Sequence, residues 1–269
     1  MELLEYEFAR NALLGMIFLS VLSGIVGTYI VVRRMVFMAG GVTHASFGGV
    51  GLAYYLGFPP TLGALAFGVA TALGVDALHS KGVRHDSAIA MLWSLGMALG
   101  VIFMTMTPGY APNLMGFMFG DALAMSRTDI EMLGLAAIVT TALTITFYRP
   151  LLYMSFDPQY AQLTGWPVRA FNMVTSIIIA LSISLTIKAV GIILVLSIFT
   201  VPPTMSSMFA KSLGRIMSMA GITALIGSVG GLMLSFKTDL PAGALISAIL
   251  ITVLLIVKII KGITEKKRA

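Results

Sequence analysis

The sequence predicts an all-α membrane protein: one polytopic helix bundle with about nine transmembrane spans, eight being the alternative count. Hydrophobic residues make up 58% of the 269 residues and charged residues only 10%, whereas an average soluble domain is about 25% charged. Apolar stretches long enough to cross a bilayer, about 20 residues each, recur from Leu13 to Ile259. These two observations exclude a soluble protein and predict a single transmembrane domain over residues 1–269.

Nine apolar stretches are predicted to be the membrane spans, because each approaches the length that a bilayer-spanning helix needs. A further apolar stretch at 116–126 is too short to span and lies between two points on the same side of the membrane. It is predicted to be a re-entrant or interfacial segment, whose backbone must be satisfied by protein or water. The predicted spans are 13–32, 39–56, 61–78, 87–106, 130–147, 168–187, 190–210, 216–236 and 241–257.

The distribution of basic residues predicts the orientation of these spans, since Lys and Arg gather in the cytoplasmic loops of membrane proteins. If the N-terminus is outside, 13 of the 17 Lys and Arg residues lie on the cytoplasmic side, and only Arg10, Arg127, Lys188 and Lys237 lie outside. We therefore predict an outer N-terminus and a cytoplasmic C-terminus. Because the net charge of +6 comes mainly from cytoplasmic positions, no nucleic-acid partner is expected.

The second predicted span carries the exceptional ionisable residue at membrane depth, His44. Two adjacent stripes of small residues at helical spacing surround it, and such stripes let helices approach closely. We therefore expect a central helix in which His44 faces protein or a cavity, with Thr43 and Ser46 on the same translocation path. A neutral imidazole there suits a transient divalent-metal ligand, and an interhelical hydrogen bond is the open alternative. The stripes consist of Gly41, Ala45, Gly49 and Ala53, and of Gly40, His44 and Gly48.

Other ionisable and soft side chains give weaker signals. His79 and His85 flank basic residues in a predicted cytoplasmic loop, and a lone surface pair is weak evidence for a metal site. Asp76, Asp86 and Lys188 lie near predicted span ends, where solvated or capping roles are favoured. The 19 methionines are scattered over the spans, which favours core packing over a copper site.

The seventh predicted span contains two successive prolines, Pro202 and Pro203, preceded by the hydroxyl residues Ser197 and Thr200. Each proline removes a helical hydrogen bond and frees a carbonyl group. Membrane helices accept this where hydroxyls, waters or neighbouring helices take up the free groups. A kinked, hydroxyl-lined helix suits a translocation path, and a purely structural kink remains the alternative.

A short polar segment at 156–166 interrupts the apolar second half of the chain on the predicted cytoplasmic side. A polar helix between two membrane spans predicts a docking element for a cytoplasmic partner. The residues expected to carry this contact are Asp157, Pro158, Gln159, Ala161, Leu163 and Gly165.

Motifs of other protein classes are absent from the sequence. The chain has no cysteine, so neither a disulfide nor a thiolate metal site is possible. It has no Gly-x-x-x-x-Gly-Lys-Ser/Thr phosphate loop, so any ATP that drives transport must be hydrolysed by another chain. A membrane-embedded enzyme is disfavoured, because Ser46 and His44 are two residues apart and point in different directions on a helix. We expect no catalytic residue and no resident cofactor.

Through the motifs that it does contain, the chain resembles, over nearly its whole length, the permease subunits of bacterial ATP-binding-cassette (ABC) importers for zinc, manganese and iron(II). Six matching pieces occur in order and with matching spacing, which makes the resemblance specific. They are Arg33-Arg34 with Gly41-Val42-Thr43-His44-Ala45; Asp86-Ser87-Ala88; Phe119-Gly120-Asp121-Ala122-Leu123; Phe156-Asp157-Pro158 with Ala161 and Leu163-Thr164-Gly165; Val190-Gly191-Ile192-Ile193-Leu194-Val195 with Val201-Pro202-Pro203; and Asp239-Leu240-Pro241-Ala242-Gly243.

The resemblance implies a permease of the type II-like importer fold in the bacterial cytoplasmic (inner) membrane, working by alternating access. It implies three protein partners: a cytoplasmic ABC ATPase subunit, an extracytoplasmic metal-binding receptor and a second copy of the chain. The segment at 156–166 then corresponds to the coupling helix that docks on the ATPase, and His44 corresponds to a metal contact near the gate. The divalent metal ion is cargo and not a resident cofactor.

One departure from the family pattern bears on the cargo. Many relatives carry an acidic residue four positions before the histidine, where Gly40 stands here. One helical turn would place that carboxylate beside the imidazole, so its absence removes an oxygen ligand of the kind that manganese favours. Zinc is therefore expected first, then iron or manganese. A permease for iron chelates or cobalamin, which resembles this architecture more distantly, is the alternative within transport.

Overall fold

The computed structural model describes residues 6–108, 120 and 125–266, and within these residues all regular structure is helical. The acidic Glu2 and Glu5 and most of the predicted re-entrant segment 116–126 lie outside the described residues. The helices are α1 (Glu7–Leu22), a π-helical turn (Ser23–Gly27), α2 (Thr28–Val32), α3 (Val36–Leu56), α4 (Pro60–Ser80), α5 (His85–Met106), α6 (Arg127–Thr146), α7 (Tyr148–Phe156), α8 (Pro158–Leu163), α9 (Val168–Ser207), α10 (Leu213–Thr238) and α11 (Ala242–Lys266).

Eight helical segments of the described chain are long and apolar enough to cross a bilayer. α1, the π-helical turn and α2 form one of them, which we call the first span. Seven of the eight match single predicted spans, and the remaining one, α9, is 40 residues long. A straight helix of that length would measure about 60 Å, about twice the thickness of the bilayer's hydrocarbon core.

Helix α9 folds back on itself as a helical hairpin. Near its start, the side chain of Asn172 accepts a hydrogen bond from Arg33 (3.2 Å); near its end, the carbonyl of Ile198 accepts one from Ser23 (2.5 Å). A straight helix would separate Asn172 from Ile198 by about 40 Å, but Ser23 and Arg33 are only about 15 Å apart along the first span. The predicted spans 168–187 and 190–210 are thus the two arms of one hairpin, and the described residues pass through the bundle nine times.

The turn of the hairpin is built on Gly191, the residue of α9 whose dihedral angles are not helical (φ 79°, ψ 165°). Gly120, also at positive φ, packs so tightly there that a Cβ atom on it would lie 2.2 Å from the Val190 carbonyl carbon. Lys188 forms an ion pair with Asp129 (2.5 Å), which itself caps the start of α6 through Ser126. Lys188 therefore joins the hairpin turn to α6, an ion-pair role that goes beyond the solvated or capping role predicted for it.

The two ends of the bundle can be named by these residues. At the Arg33 end lie the start and end of α9, the end of α6 and the start of α10, where the Gly214 N–H donates to the Tyr148 hydroxyl (3.1 Å). At the Lys188 end lie the hairpin turn and the start of α6.

Among the membrane-spanning helices of the described chain, α3 is the most buried. In its apolar stretch of 18 residues 78% of the residues are buried, against 22% in the corresponding stretches of α5 and α11. Its glycines make this possible. A Cβ atom on Gly49 would lie 1.9 Å from the Gly63 carbonyl oxygen of α4, and one on Gly48 would lie 2.7 Å from the Gly96 carbonyl oxygen of α5. The prediction of a central helix packed through small residues is confirmed. Each stripe contacts both neighbours, since Gly41 packs on α5 and Gly49 on α4, while Gly48 packs on both.

Candidate functional site

His44 lies near the middle of α3 and is half-buried. Its imidazole stacks on the indole of Trp93 from α5, with ring centroids 4.4 Å apart and planes only 5° from parallel. The close glycine-mediated approach of α5 to α3 positions this pair. None of the described residues hydrogen-bonds to the His44 ring, so among these residues the aromatic stack, and not the alternative interhelical hydrogen bond, is the contact of the ring.

No closed metal site exists in the part of the chain that the structure describes. No three His, Asp or Glu residues there come together in a group that could hold an ion. His44 therefore offers one imidazole whose ring nitrogens bond to none of the described residues, which suits transient coordination and not a structural zinc site. The role of His44 as a metal ligand stays a prediction.

The hydroxyl residues predicted beside His44 are buried and satisfied within the bundle. Thr43 donates to the Ala39 carbonyl of its own helix (2.7 Å). Ser46 donates to the Val42 carbonyl (2.8 Å) and lies 3.1 Å from the Ser184 hydroxyl on the first arm of α9. Ser46 thus links α3 to the hairpin, and in this single chain neither residue is exposed to an open path.

The two prolines of the second arm have partners that the sequence did not reveal. Pro202 cannot donate to the Ile198 carbonyl, and the buried Ser23 hydroxyl of the π-helical turn donates to that carbonyl instead. The carbonyl of Phe199, freed by Pro203, lies 2.7 Å from where a Cβ atom on Gly27 would stand. The Ser23-x-x-x-Gly27 spacing, typical of close helix contacts, is the sequence signal that could have identified this partner.

The hydroxyls on the second arm bond within their own helix. Ser197 donates to the Ile193 carbonyl (3.1 Å) and Thr200 to the Leu196 carbonyl (2.6 Å). Ser197, Pro202 and Pro203 are buried. The structure therefore brings the prolines to the first span, and the place of these residues on a translocation path stays a prediction.

The predicted coupling segment is a short exposed helix, α8, between two bends. The Asp157 carboxylate caps it by accepting from the Tyr160 N–H (2.9 Å), and Pro158 occupies its first turn. Gly165 ends the segment in a left-handed conformation (φ 85°), which glycine adopts without strain. The helix is one turn and a half long, so its position depends on what holds its ends.

The surface of this segment divides into an anchor and an exposed face. Ala161 is fully buried, whereas Gln159 is exposed and Leu163 is 86% exposed. Single exposed apolar side chains are common on protein surfaces, so the docking role of Leu163 stays a prediction.

Arg33 connects the coupling segment to the bundle. Its guanidinium donates to the carbonyl of Met154, in α7, and to the side chain of Asn172, in the first arm of α9. The Tyr153 and Tyr160 rings, 5.2 Å apart, hold α7 against α8. Arg33, which directly follows the first span, therefore contacts both the hairpin and α7, the helix that leads into the predicted coupling segment.

A polar cavity of about 500 Å³ lies at the Arg33 end, next to Pro158. Asp76, His79 and His85 line it together with Arg33 and Arg34. The His79 and His85 rings lie 5.5 Å apart, yet they do not form a three-ligand group with Asp76. The structure thus brings the loop histidines together without completing a metal site.

Comparison with known proteins gives matches over nearly the whole chain. A family model described as the ABC 3 transport family matches residues 5–261. The manganese transport system membrane protein MntC of Halalkalibacterium halodurans is 33% identical over 245 residues, covering 90% of this chain and 84% of that protein. The protein of the same name from Listeria monocytogenes is 29% identical over 243 residues, covering 90% and 86%.

The fold has also been seen in a solved structure. A chain in the structure of PsaBC from Streptococcus pneumoniae in complex with Fab superposes with a TM-score of 0.85 at 28% sequence identity. The superposition covers 95% of this chain and 92% of that chain.

Proposed function

Because this chain belongs to the ABC 3 transport family, we propose that it moves divalent metal ions, zinc before iron or manganese, into the cytoplasm by alternating access. Family membership and the named relatives make it the membrane permease of a metal ABC importer, as the sequence resemblance implied. Its fold is the type II-like permease fold that the sequence predicted. The ion, the partners and the path are the proposed part.

The observation that carries the coupling proposal is the position of Arg33. In one direction it holds the Met154 carbonyl, four residues before the coupling helix begins at Pro158; in the other it holds Asn172 of the hairpin. A force on α8 from a closing ATPase would therefore reach the first span and α9 together. The exposed Leu163 and Gln159 are the proposed contact surface for that ATPase.

Three partners complete the importer. ATP hydrolysis takes place in a separate cytoplasmic ATPase subunit, because this sequence has no phosphate loop. A metal-binding receptor delivers the ion at the Lys188 end, and a second copy of the chain completes the path. The Arg33 end faces the cytoplasm, since Arg33, Arg34, Lys81 and Arg84 lie there and basic residues favour that side. The N-terminus is then outside and the C-terminus inside.

The proposed cargo follows from the chemistry beside His44. An imidazole without a neighbouring carboxylate favours zinc or iron(II) over manganese, which prefers oxygen ligands. Two relatives are named as manganese transport proteins, so manganese is the cargo to test directly against zinc.

The irregular helices give the proposed switch its moving part. The π-helical turn and the Pro202-Pro203 pair pack on each other, and both lack the regular hydrogen-bond ladder of an α-helix. Such segments can change direction at lower cost than a regular helix. Rigid-body movement of the first span and the second arm about this contact would open the path to one side and then the other.

Transport by the complete complex in proteoliposomes tests the coupling proposal, with radioactive zinc and manganese supplied in separate and mixed uptake assays. Replacing residues 159–163 by a Gly/Ser linker should abolish ATP-driven uptake and leave the protein in the membrane. Leu163→Asp should weaken ATPase binding. Leu240→Asp, the same change at the Lys188 end, should not. Unchanged uptake after the linker replacement would exclude this coupling route. Manganese outcompeting zinc at equal concentration in the mixed assay would exclude the proposal that zinc is the preferred cargo.

A further inference from the structure

We propose that Trp93 is a positioning residue for the transported ion. It covers one face of the His44 imidazole and so sets the direction from which a divalent metal ion reaches a ring nitrogen. This inference rests on the proposed transport function and assigns a role to a residue outside every sequence motif noted above. The evidence is the geometry of one face of α3.

The indole of Trp93 lies along a stripe formed by Phe37, Gly40 and His44. It stacks on His44 at 4.4 Å and meets the Phe37 ring at 6.0 Å with a tilt of 50°. A Cβ atom on Gly40 would lie 3.8 Å from Trp93 Cζ3. The space one turn before His44 is therefore bounded by the indole and by the side chain of Leu196 in α9, whose Cδ2 atom would also lie 3.8 Å from that Cβ atom.

A stacked neighbour covers the face of an imidazole and leaves its edge free. The lone pair that binds a metal lies in the ring plane, so a parallel indole does not compete with coordination. The terminal torsion of a histidine has broad minima, and none of the described residues fixes the ring by a hydrogen bond. Trp93 is thus the contact that sets the direction in which the ring nitrogens point.

The stack also favours the metal-loaded ring over the free ring. Coordination places positive charge on the imidazole, and the face of an indole attracts a cation more strongly than the face of any other side-chain ring. The preference is modest, so the ion is held briefly and can leave, as an importer requires.

Uptake kinetics of the complete complex give the first test. Trp93→Leu should raise the half-saturating zinc concentration about three- to tenfold with little change in maximal rate, whereas Trp93→Phe should restore most of the lost affinity. Leu95→Ala, on the exposed face of the same helix, should have no effect. In a His44→Ala background Trp93→Leu should cause no further rise, because the tryptophan acts through the histidine.

Fluorescence of the full-length purified chain gives a second test that does not depend on transport. The sequence contains two tryptophans, so Trp166→Phe leaves Trp93 as the only indole. Cobalt chloride should quench this fluorescence in a saturable way, magnesium chloride should not, and His44→Ala should abolish the saturable part.

The outcomes separate the possible failures. A fall in maximal rate alone, or the same loss in the His44→Ala background, would make Trp93 a packing residue and overturn the proposal. Quenching that survives His44→Ala would also overturn it. If the wild-type complex moved no divalent ion while cobalt still quenched Trp93 through His44, the transport proposal would fail and the Trp93 assignment would stand.

Discussion

Two regions of this bundle solve helix packing in opposite ways. In the first, which we call the glycine block, α3 contacts α4 and α5 through Gly49, Gly63 and Gly96, with backbone against backbone. In the second, which we call the proline contact, the π-helical turn meets the Pro202-Pro203 region through a close approach at Gly27 and a side-chain hydrogen bond from Ser23 to the Ile198 carbonyl. The glycine block has regular helices, whereas the proline contact has irregular ones.

The difference indicates which parts can move. Backbone contacts without intervening side chains leave no alternative packing, so the glycine block should behave as a rigid body. A carbonyl that depends on one serine hydroxyl can change partners, so the proline contact should act as a hinge. His44 lies on the rigid side and the Arg33 connection leads to the hinge side, which separates the place of ion contact from the place of movement.

The largest effect is expected from a methyl group in the glycine block. Gly49→Ala would place a Cβ atom 1.9 Å from the Gly63 carbonyl oxygen, and no rotamer change can relieve a clash with backbone. We expect a loss of stability of about 3 kcal/mol or more, measured by size-exclusion recovery and thermal unfolding in detergent. Gly230→Ala is the matched control, because its Cβ would meet nothing within 4 Å. Equal behaviour of the two variants would show that the block is not rigid.

A smaller effect is expected at the proline contact. Ser23→Ala leaves the Ile198 carbonyl buried without its donor, at a cost of about 1 kcal/mol, and thermal unfolding in detergent should report it. Ser218→Ala, on an exposed serine that bonds only within its own helix, should change nothing. Because a hinge should loosen before the fold is lost, Ser23→Ala should alter the rate of ATP-driven zinc uptake even under conditions in which the variant is still fully folded. A variant with lowered stability and unaltered uptake would argue against the hinge.

The smallest effect is expected at the hairpin turn. Lys188 is 44% exposed and Asp129 only 9%, so solvent screens the pair in part. A double-mutant cycle of Asp129→Asn and Lys188→Met should give a coupling energy of about 0.5 kcal/mol. The exposed pair Arg127 and Glu131, at 3.5 Å, should give a coupling near zero in the same cycle. If the two cycles give the same coupling energy, the turn is held by Gly120 and Gly191 and not by charge.

Part of the candidate site could be predicted from the sequence and part could not. His44 stands out because an ionisable residue among small apolar ones is costly in a membrane, and that signal is local. Its partner Trp93 is 49 positions away on another helix, where one aromatic residue among apolar ones carries no signal. The short exposed helix at 158–163 was predictable because polarity interrupts an apolar run, but the contact of Arg33 with the preceding Met154 required the folded chain.

The sequence by itself determined the fold class and the membrane location of the bundle and narrowed the spans to nine or eight, because hydrophobicity and span length act residue by residue along the chain. Only the tertiary structure decided that Gly49 faces Gly63 while Gly48 faces Gly96, that α9 turns on Gly191, and that Ser23 satisfies the carbonyl freed by Pro202. These are pairings between distant segments. A hydrogen bond or a backbone contact exists only when both partners are brought together, and neither partner's neighbours in sequence record it.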